Sequence, residues 1–356
     1  MSFSTTPQLD RRIFRSCSPR HVSRARRGLV QGIARAAQLL RVTPTLLATR
    51  PGRYIFAYHR ILTPDEASQE WCHPSIWISP ETFEAQIAHL QKVGRIVSPQ
   101  SLLEDTTTPG NRFAITFDDA WADNYRYALP VLEKNRIQAC FFVPTQAVST
   151  GELFWTERLA LQLGHAASSG SAGALIDTLC IPGEQAIATS PAGMLALVLD
   201  CVERLKLLSD ADRDAAIADI ARTLKLGAGN TSGRVMSWDQ IRELHRLGHE
   251  IGSHTRTHRI LQGVDAETVD RELQDSKTEI EREIGASVRY FCYPNARYDQ
   301  VSAARVTACG YERGFRMHNL RMDAASQPAT VPRFSVAEVN GRIPLLDWRL
   351  AMSGTG

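Results

Sequence analysis

The sequence predicts an α/β fold built on parallel strands. Three observations carry that expectation: short apolar runs alternate with amphipathic segments from residue 53 onward, helix-start signals precede several of those segments, and polar clusters directly follow the apolar runs. Such alternation suits a parallel barrel or a doubly wound sheet, and in both the chemistry gathers at the C-terminal ends of the strands.

Taken in order, Tyr54–Tyr58 reads as a buried strand. Pro80–Val93 reads as a helix, with Ser79 as cap, Pro80 at the first position, and Phe83, Ile87 and Leu90 on one face. Phe113–Thr116–Phe117 is a second strand, Asn124–Lys134 a helix and Ala139–Val143 a third strand. Residues 151–235 differ: they are rich in Ala, Leu, Gly and Ser, and Leu195, Val198, Leu199, Val202 and Leu205 recur at helical spacing, so a mostly helical insertion is expected. The alternation then resumes with a helix Trp238–Leu247, a strand Glu250–Ser253, a long charged helix Asp265–Ile284, a strand Val288–Tyr293, a helix Val301–Cys309 and a last strand Val331–Val336. The expected division is a basic, partly helical arm over 1–52, a catalytic domain over 53–340 carrying the insertion at about 151–235, and a tail over 341–356.

A hydrophobic content of 43% and a charged content of 22% are those of a folded globular chain. The net charge of +3 hides an asymmetry. Residues 1–50 hold ten Arg, no Lys and one Asp, while the remainder holds 31 basic and 37 acidic residues. The body is therefore mildly acidic, which gives nucleic acid no footing as a partner. Within the arm, Leu29, Ile33, Ala36, Ala37 and Leu40 fall at helical spacing behind the Arg-rich stretch, a pattern that suits peripheral contact with an anionic membrane, packing on the body or an organellar transit peptide. Seven scattered cysteines without a CxxC pair suggest reduced thiols, and no run of about 20 apolar residues spans a membrane. With no apolar signal segment behind the N-terminal arginines, the expected location is the cytoplasm, with contact at the inner membrane face as an option.

Two clusters carry chemistry. Asp118 and Asp119 follow an apolar strand, where adjacent carboxylates repel and are costly to bury unless a cation compensates one of them; Asp pairs also occur in caps and solvated turns. His254 and His258 follow the strand Glu250–Ser253, and two His four apart can reach one ion. Two imidazoles and a carboxylate form an open site for a divalent metal, zinc first among them.

Together, Thr116-Phe117-Asp118-Asp119, His254-Thr255-Arg256-Thr257-His258 and Phe291-Cys292-Tyr293-Pro294-Asn295 resemble the polysaccharide deacetylase, or NodB-homology, family of carbohydrate esterases. Tyr58-His59-Arg60, Phe154-Trp155, Ser237-Trp238, Gly252-Ser253 and Pro332-Arg333-Phe334 extend the resemblance over roughly 53–340. It implies a distorted (β/α)7 barrel and a metal-dependent hydrolase that removes N-acetyl groups from N-acetylhexosamine units of a polysaccharide or lipid-linked glycan precursor. Asp118 is then the general base, and Asp119, His254 and His258 hold the metal, which polarises the acetyl carbonyl and the attacking water. A backbone N–H near Asn295 would stabilise the oxyanion. Two departures matter. Cys292 stands where many members have the Arg that orients the base, and Arg333 is the candidate replacement. No Leu-x-x-His follows residue 318, but Tyr58-His59-Arg60 matches the motif from which circularly permuted exopolysaccharide deacetylases draw their general acid, which assigns that role to His59. Tyr293, Pro294, Trp121 and Trp155 are the candidate sugar contacts. The rival readings are a hydrolase of O-acetyl esters or small cyclic amides on the same fold, and an idle glycan-binding relative.

Overall fold

The computed structural model describes residues 24–40, 42–179, 190–227, 233–322 and 326–354, which pack as two compact units. In the larger unit the strands are, in chain order, β1 (Arg53–Tyr58), β2 (Arg60–Ile61), β3 (Trp77–Ile78), β4 (Arg95–Ile96), β5 (Arg112–Phe117), β6 (Cys140–Val143), β7 (Glu250–Ser253), β8 (Tyr290–Cys292), β9 (Arg313–Met317) and β10 (Val331–Ser335). Seven of them close into a parallel barrel in the order β1-β10-β9-β8-β7-β6-β5, and β5 returns to β1. The closing pair runs in register along the whole of β1, from Arg53 beside Arg112 to Tyr58 beside Phe117. Short β4 borders the start of β5, and β6 borders its end. The predicted α/β barrel is thus the observed one.

The period of two along each strand divides its side chains between two faces. Ile55, Ala114, Cys140, Phe142, Tyr290, Cys292, Phe315 and Val331 form one cluster drawn from six of the seven barrel strands. Only the barrel lumen brings such residues together. Arg333 is two residues beyond Val331 and so points the same way. Tyr54, Phe56, Tyr58, Phe113 and Phe117 take the other face, where Phe83 of the helix Pro80–Val93 packs edge-on against Tyr58 and Phe117. Ser79 caps that helix by accepting from the Thr82 N–H, with Pro80 in its first turn, as the sequence suggests. Ser237 and Gln240 form a reciprocal capping box on the helix Trp238–Arg246, and Asp265 caps Ala266–Ile284.

The N-terminal arm is helical over Arg24–Leu39 and Val42–Thr49, and residues 1–23 lie outside the described residues. Both helices pack on a helix Ile343–Ala351 in the segment read as a tail, whose Leu346 and Leu350 are buried. No helix among the described residues is long and apolar enough to cross a membrane.

The smaller unit takes in residues 66–73 and the stretch between 153 and 231. Its helices Trp155–Ala166, Ala172–Leu179, Pro191–Leu205 and Asp210–Thr223 surround a core of Leu159, Leu163, Leu175, Val198, Cys201, Leu205 and Ile220. Gly164 leaves room for the Trp71 ring, which a Cβ would strike.

Candidate metal and acid–base site

The polar motifs lie at one end of the barrel because parallel strands deliver all their C-termini there. Asp118 leaves β5 with its N–H bonded to the Tyr58 carbonyl at 2.9 Å, and the His254 N–H, leaving β7, bonds the Val143 carbonyl at 3.0 Å. Six of the ten non-glycine residues with positive φ among those described sit on these loops: Asp119 (75°), Ala120 (54°), Thr255 (63°), His258 (59°), Asn295 (53°) and Ala296 (55°). A left-handed backbone at such residues costs on the order of 1–3 kcal/mol each, and clusters of this kind mark functional sites.

Three lone-pair atoms converge. The Asp119 Oδ1 lies 3.3 Å from the His254 Nε2 and 3.2 Å from the His258 Nε2. That oxygen is buried and has no hydrogen-bond partner. The His254 Nδ1 lies 2.7 Å from the Cys292 carbonyl. A carbonyl only accepts, so Nδ1 carries the proton and Nε2 presents its lone pair to the site. Ligands at about 2.1 Å from a tetrahedral zinc ion stand about 3.4 Å apart, close to the separations here. The residues present therefore fit a divalent metal. Burial raises the Asp119 carboxyl, yet the two imidazoles, when they hold the protons, bring it well below the usual carboxylate range. Burial likewise opposes a charge on His254, but its neighbours Cys292, Asp119 and Asp118 outweigh it and hold His254 well above an ordinary imidazole.

Asp118 is held differently. The Arg333 guanidinium grips it with two bonds of 2.7 Å, Nη1 to Oδ1 and Nη2 to Oδ2, while Nη1 also donates to the Thr116 hydroxyl at 2.9 Å. Burial pushes the Asp118 carboxyl up, but Arg333 reverses this and keeps it below its ordinary value. Asp118, His254 and Cys292 also lie close enough together to form a second possible ligand set. A cation there would face Arg333, and burial pushes the Cys292 thiol up, so this set is the weaker one. Cys292 instead accepts from Arg333 at 2.7 Å and donates to Asp118 at 3.6 Å. The guanidinium expected near residue 292 thus arrives from β10. The His59 Nε2 lies 3.8 Å from the Asp118 Oδ2 with its side chain partly exposed, and Asn295 is exposed at the top of the turn Pro294–Ala296.

The expected sugar contacts fare differently. Trp121 is fully buried and donates its indole N–H to the Asp119 Oδ2 at 3.1 Å, so it cannot stack on a sugar. Tyr293 is also buried, its hydroxyl bonded to the Ala329 carbonyl at 2.9 Å, and Pro294 is buried beside it. Both aromatic rings turn inward because their polar tips find acceptors there. Trp155 belongs to the smaller unit, where the Arg213 guanidinium lies over its ring. Glu272 escaped the sequence reading. Buried on the helix Ala266–Ile284, it accepts from the Arg256 and Thr257 N–H groups at 2.9 Å and from the Thr257 hydroxyl at 2.7 Å, and so braces the loop that carries both His.

A family model for polysaccharide deacetylase matches residues 105–172 and 201–314. No curated protein matches the chain. Among solved structures, the Streptococcus pyogenes deacetylase PplD in complex with acetate is 15% identical, with 83% of this chain and 96% of that one covered and a TM-score of 0.54. IcaB from Ammonifex degensii is 19% identical, with 85% and 98% covered and a TM-score of 0.54. A de-N-acetylase from Aggregatibacter actinomycetemcomitans is 16% identical, with 84% and 99% covered and a TM-score of 0.55. At these identities the structures share the fold.

Proposed function

Because this chain belongs to the polysaccharide deacetylase family and is a metal-dependent hydrolase of the deacetylase type, we propose that it removes N-acetyl groups from N-acetylhexosamine units of a polysaccharide or a lipid-linked glycan precursor. The observation that carries this reading is the pairing of two differently held carboxylates: Asp119 converging with His254 and His258, and Asp118 gripped by Arg333 beside them. A divalent cation held by Asp119, His254 and His258, zinc by its preference for this donor set, lends Lewis acidity to the acetyl carbonyl and to a water.

The remaining work falls to the chain's own side chains. Asp118, kept ionised and oriented by Arg333, takes the proton from the attacking water. The Asn295 backbone N–H supports the carbonyl oxygen as it gains charge. His59, 3.8 Å from Asp118, gives a proton to the departing amine as the amide C–N bond breaks, leaving acetate and a free amino sugar. We assign the catalytic unit to 53–340 and the cytoplasmic side of the membrane to the protein. The exposed Ile33, Leu39 and Leu40 and the ten arginines of residues 1–50 support a peripheral contact with anionic lipid.

The test is metal content together with acetate release from N-acetylated glucosamine oligomers. About one zinc per chain is expected, lost in the His254→Ala, His258→Ala double variant, with turnover abolished by chelation and restored by zinc. Full turnover in chelator would refute the reading.

A further inference from the structure

The Asp119 carboxylate has two oxygens with different surroundings. Oδ1 faces the two imidazoles, whereas Oδ2 accepts from the Trp121 indole N–H at 3.1 Å. Over the Trp121 ring, 3.9 Å from its centroid, lies the Arg60 guanidinium. Asp123 in turn holds Arg60, its Oδ2 accepting from Nε at 2.6 Å while its Oδ1 accepts from the Ile61 N–H at 2.7 Å. Asp119, Trp121, Arg60 and Asp123 are all buried. The loop beneath them is stitched on both sides of Trp121, by the Ala122 N–H to the Arg234 carbonyl and the Met236 N–H to the Ala120 carbonyl, each at 2.8 Å. That stitching holds the left-handed backbone at Asp119 and Ala120 in place.

We propose that Trp121 and Arg60 are positioning residues that set metal affinity by fixing Asp119 as a one-oxygen ligand. The physics is direct. A buried indole N–H needs an acceptor, and the one it bonds is the oxygen that must stay off the metal if Asp119 is to bind through Oδ1 alone. A guanidinium over the indole face withdraws electron density, which makes the N–H a stronger donor to that oxygen. Asp123 keeps the guanidinium over the ring. The chain Asp123–Arg60–Trp121–Asp119 thereby joins β2 to the loop after β5. This proposal rests on the metal reading above and adds to it which residues tune the site.

Zinc affinity of the full chain, measured by competition with a chromophoric chelator, tests it. Trp121→Phe keeps an aromatic face under Arg60 and removes the donor, with a smaller ring. It should weaken zinc binding by about 10- to 100-fold, lower the melting of the metal-free protein as a smaller side chain in a packed site must, and recover acetate release when zinc is raised. Arg60→Lys should weaken zinc binding less, and the double variant should lose no more than Trp121→Phe alone, because both act through one hydrogen bond. If Trp121→Phe fails to fold, Arg60→Lys alone decides through its zinc affinity. Zinc affinity within twofold of the parent protein, or losses that simply add, would overturn the proposal. A parent protein that binds no zinc would instead overturn the metal reading itself, and this inference with it.

Discussion

A carboxylate as deeply buried as Asp118 keeps its proton at neutral pH unless a cation is bonded to it, and the two-pronged contact with Arg333 supplies that cation. The sign of the consequence follows. A general base works when deprotonated, and Arg333 lowers its pKa, so removing Arg333 moves the acidic limb of the rate–pH profile upward. Arg333→Gln is expected to shift that limb by about 1–3 on the pH scale and to destabilise the fold by about 3–5 kcal/mol, since a buried charge is left without its partner. Parallel pH–rate profiles and urea melts check both, and an unmoved limb would show that Arg333 does not act on the base. Much of this site was legible in the sequence. The Asp pair, the His pair, His59 and Arg333 stand in short motifs beside apolar runs. Trp121 was legible as an aromatic near the site but not as a buried donor, because that depends on which way one ring turns. Glu272 left no local mark: it sits within a charged helix, and only the fold brings it 15–16 residues back to Arg256 and Thr257.

The elements show the same division between local and distant causes. Helices with strong caps, such as Pro80–Val93, fall where the sequence puts them, and so do six of the seven barrel strands, because a buried strand in a parallel barrel is apolar on both faces. The seventh, β9, was not legible. Arg313-Gly314-Phe315-Arg316-Met317 has no apolar run, and Gly314 is there because a Cβ would strike the Ala329 carbonyl. The starts of β6 and β7 are tied by His249, whose Nδ1 accepts the Ala139 N–H at 3.1 Å. Burial lowers the His249 pKa to about 4, against 6.5 for a free imidazole, and Glu133, 3.5 Å from its Nε2, is too exposed to prevent this. The folded chain therefore binds fewer protons than the unfolded one between these values, and stability present above pH 6.5 is lost as pH falls toward 4. By linkage the loss between pH 7 and 4.5 is about 2 kcal/mol. His249→Asn, which keeps an acceptor near the Nδ1 position and does not titrate, should flatten that part of the pH dependence. Urea melts at the two pH values measure it, and an unchanged slope in the variant would assign the loss elsewhere.

At the scale of the whole molecule, charge is distributed unevenly: ten of the 41 basic residues lie in the first 50 positions beside a single Asp, while the rest of the chain is net acidic. The helix Arg24–Leu39 buries Ala34 and Ala37, whereas Ile33 is 45%, Leu39 85% and Leu40 75% exposed. Exposed apolar side chains behind an Arg-rich stretch have the make-up of an interfacial contact, in which apolar burial and attraction to anionic headgroups add. Ile33, Leu39 and Leu40 are exposed, so changing all three to Ser should alter stability by only a few tenths of a kcal/mol each, whereas deleting the helix would strip the helix Ile343–Ala351 of a packing neighbour and confuse the result. In co-sedimentation at low salt, the parent protein is expected to bind vesicles containing phosphatidylglycerol and not vesicles of phosphatidylcholine alone. Raising the salt weakens the attraction by shortening the Debye length, from about 30 Å at 0.01 M to about 8 Å at 0.15 M. The triple Ser variant should bind anionic vesicles several-fold less at every salt. Equal binding by parent and variant would leave only the arginines to act, and no binding by either would remove the membrane contact altogether.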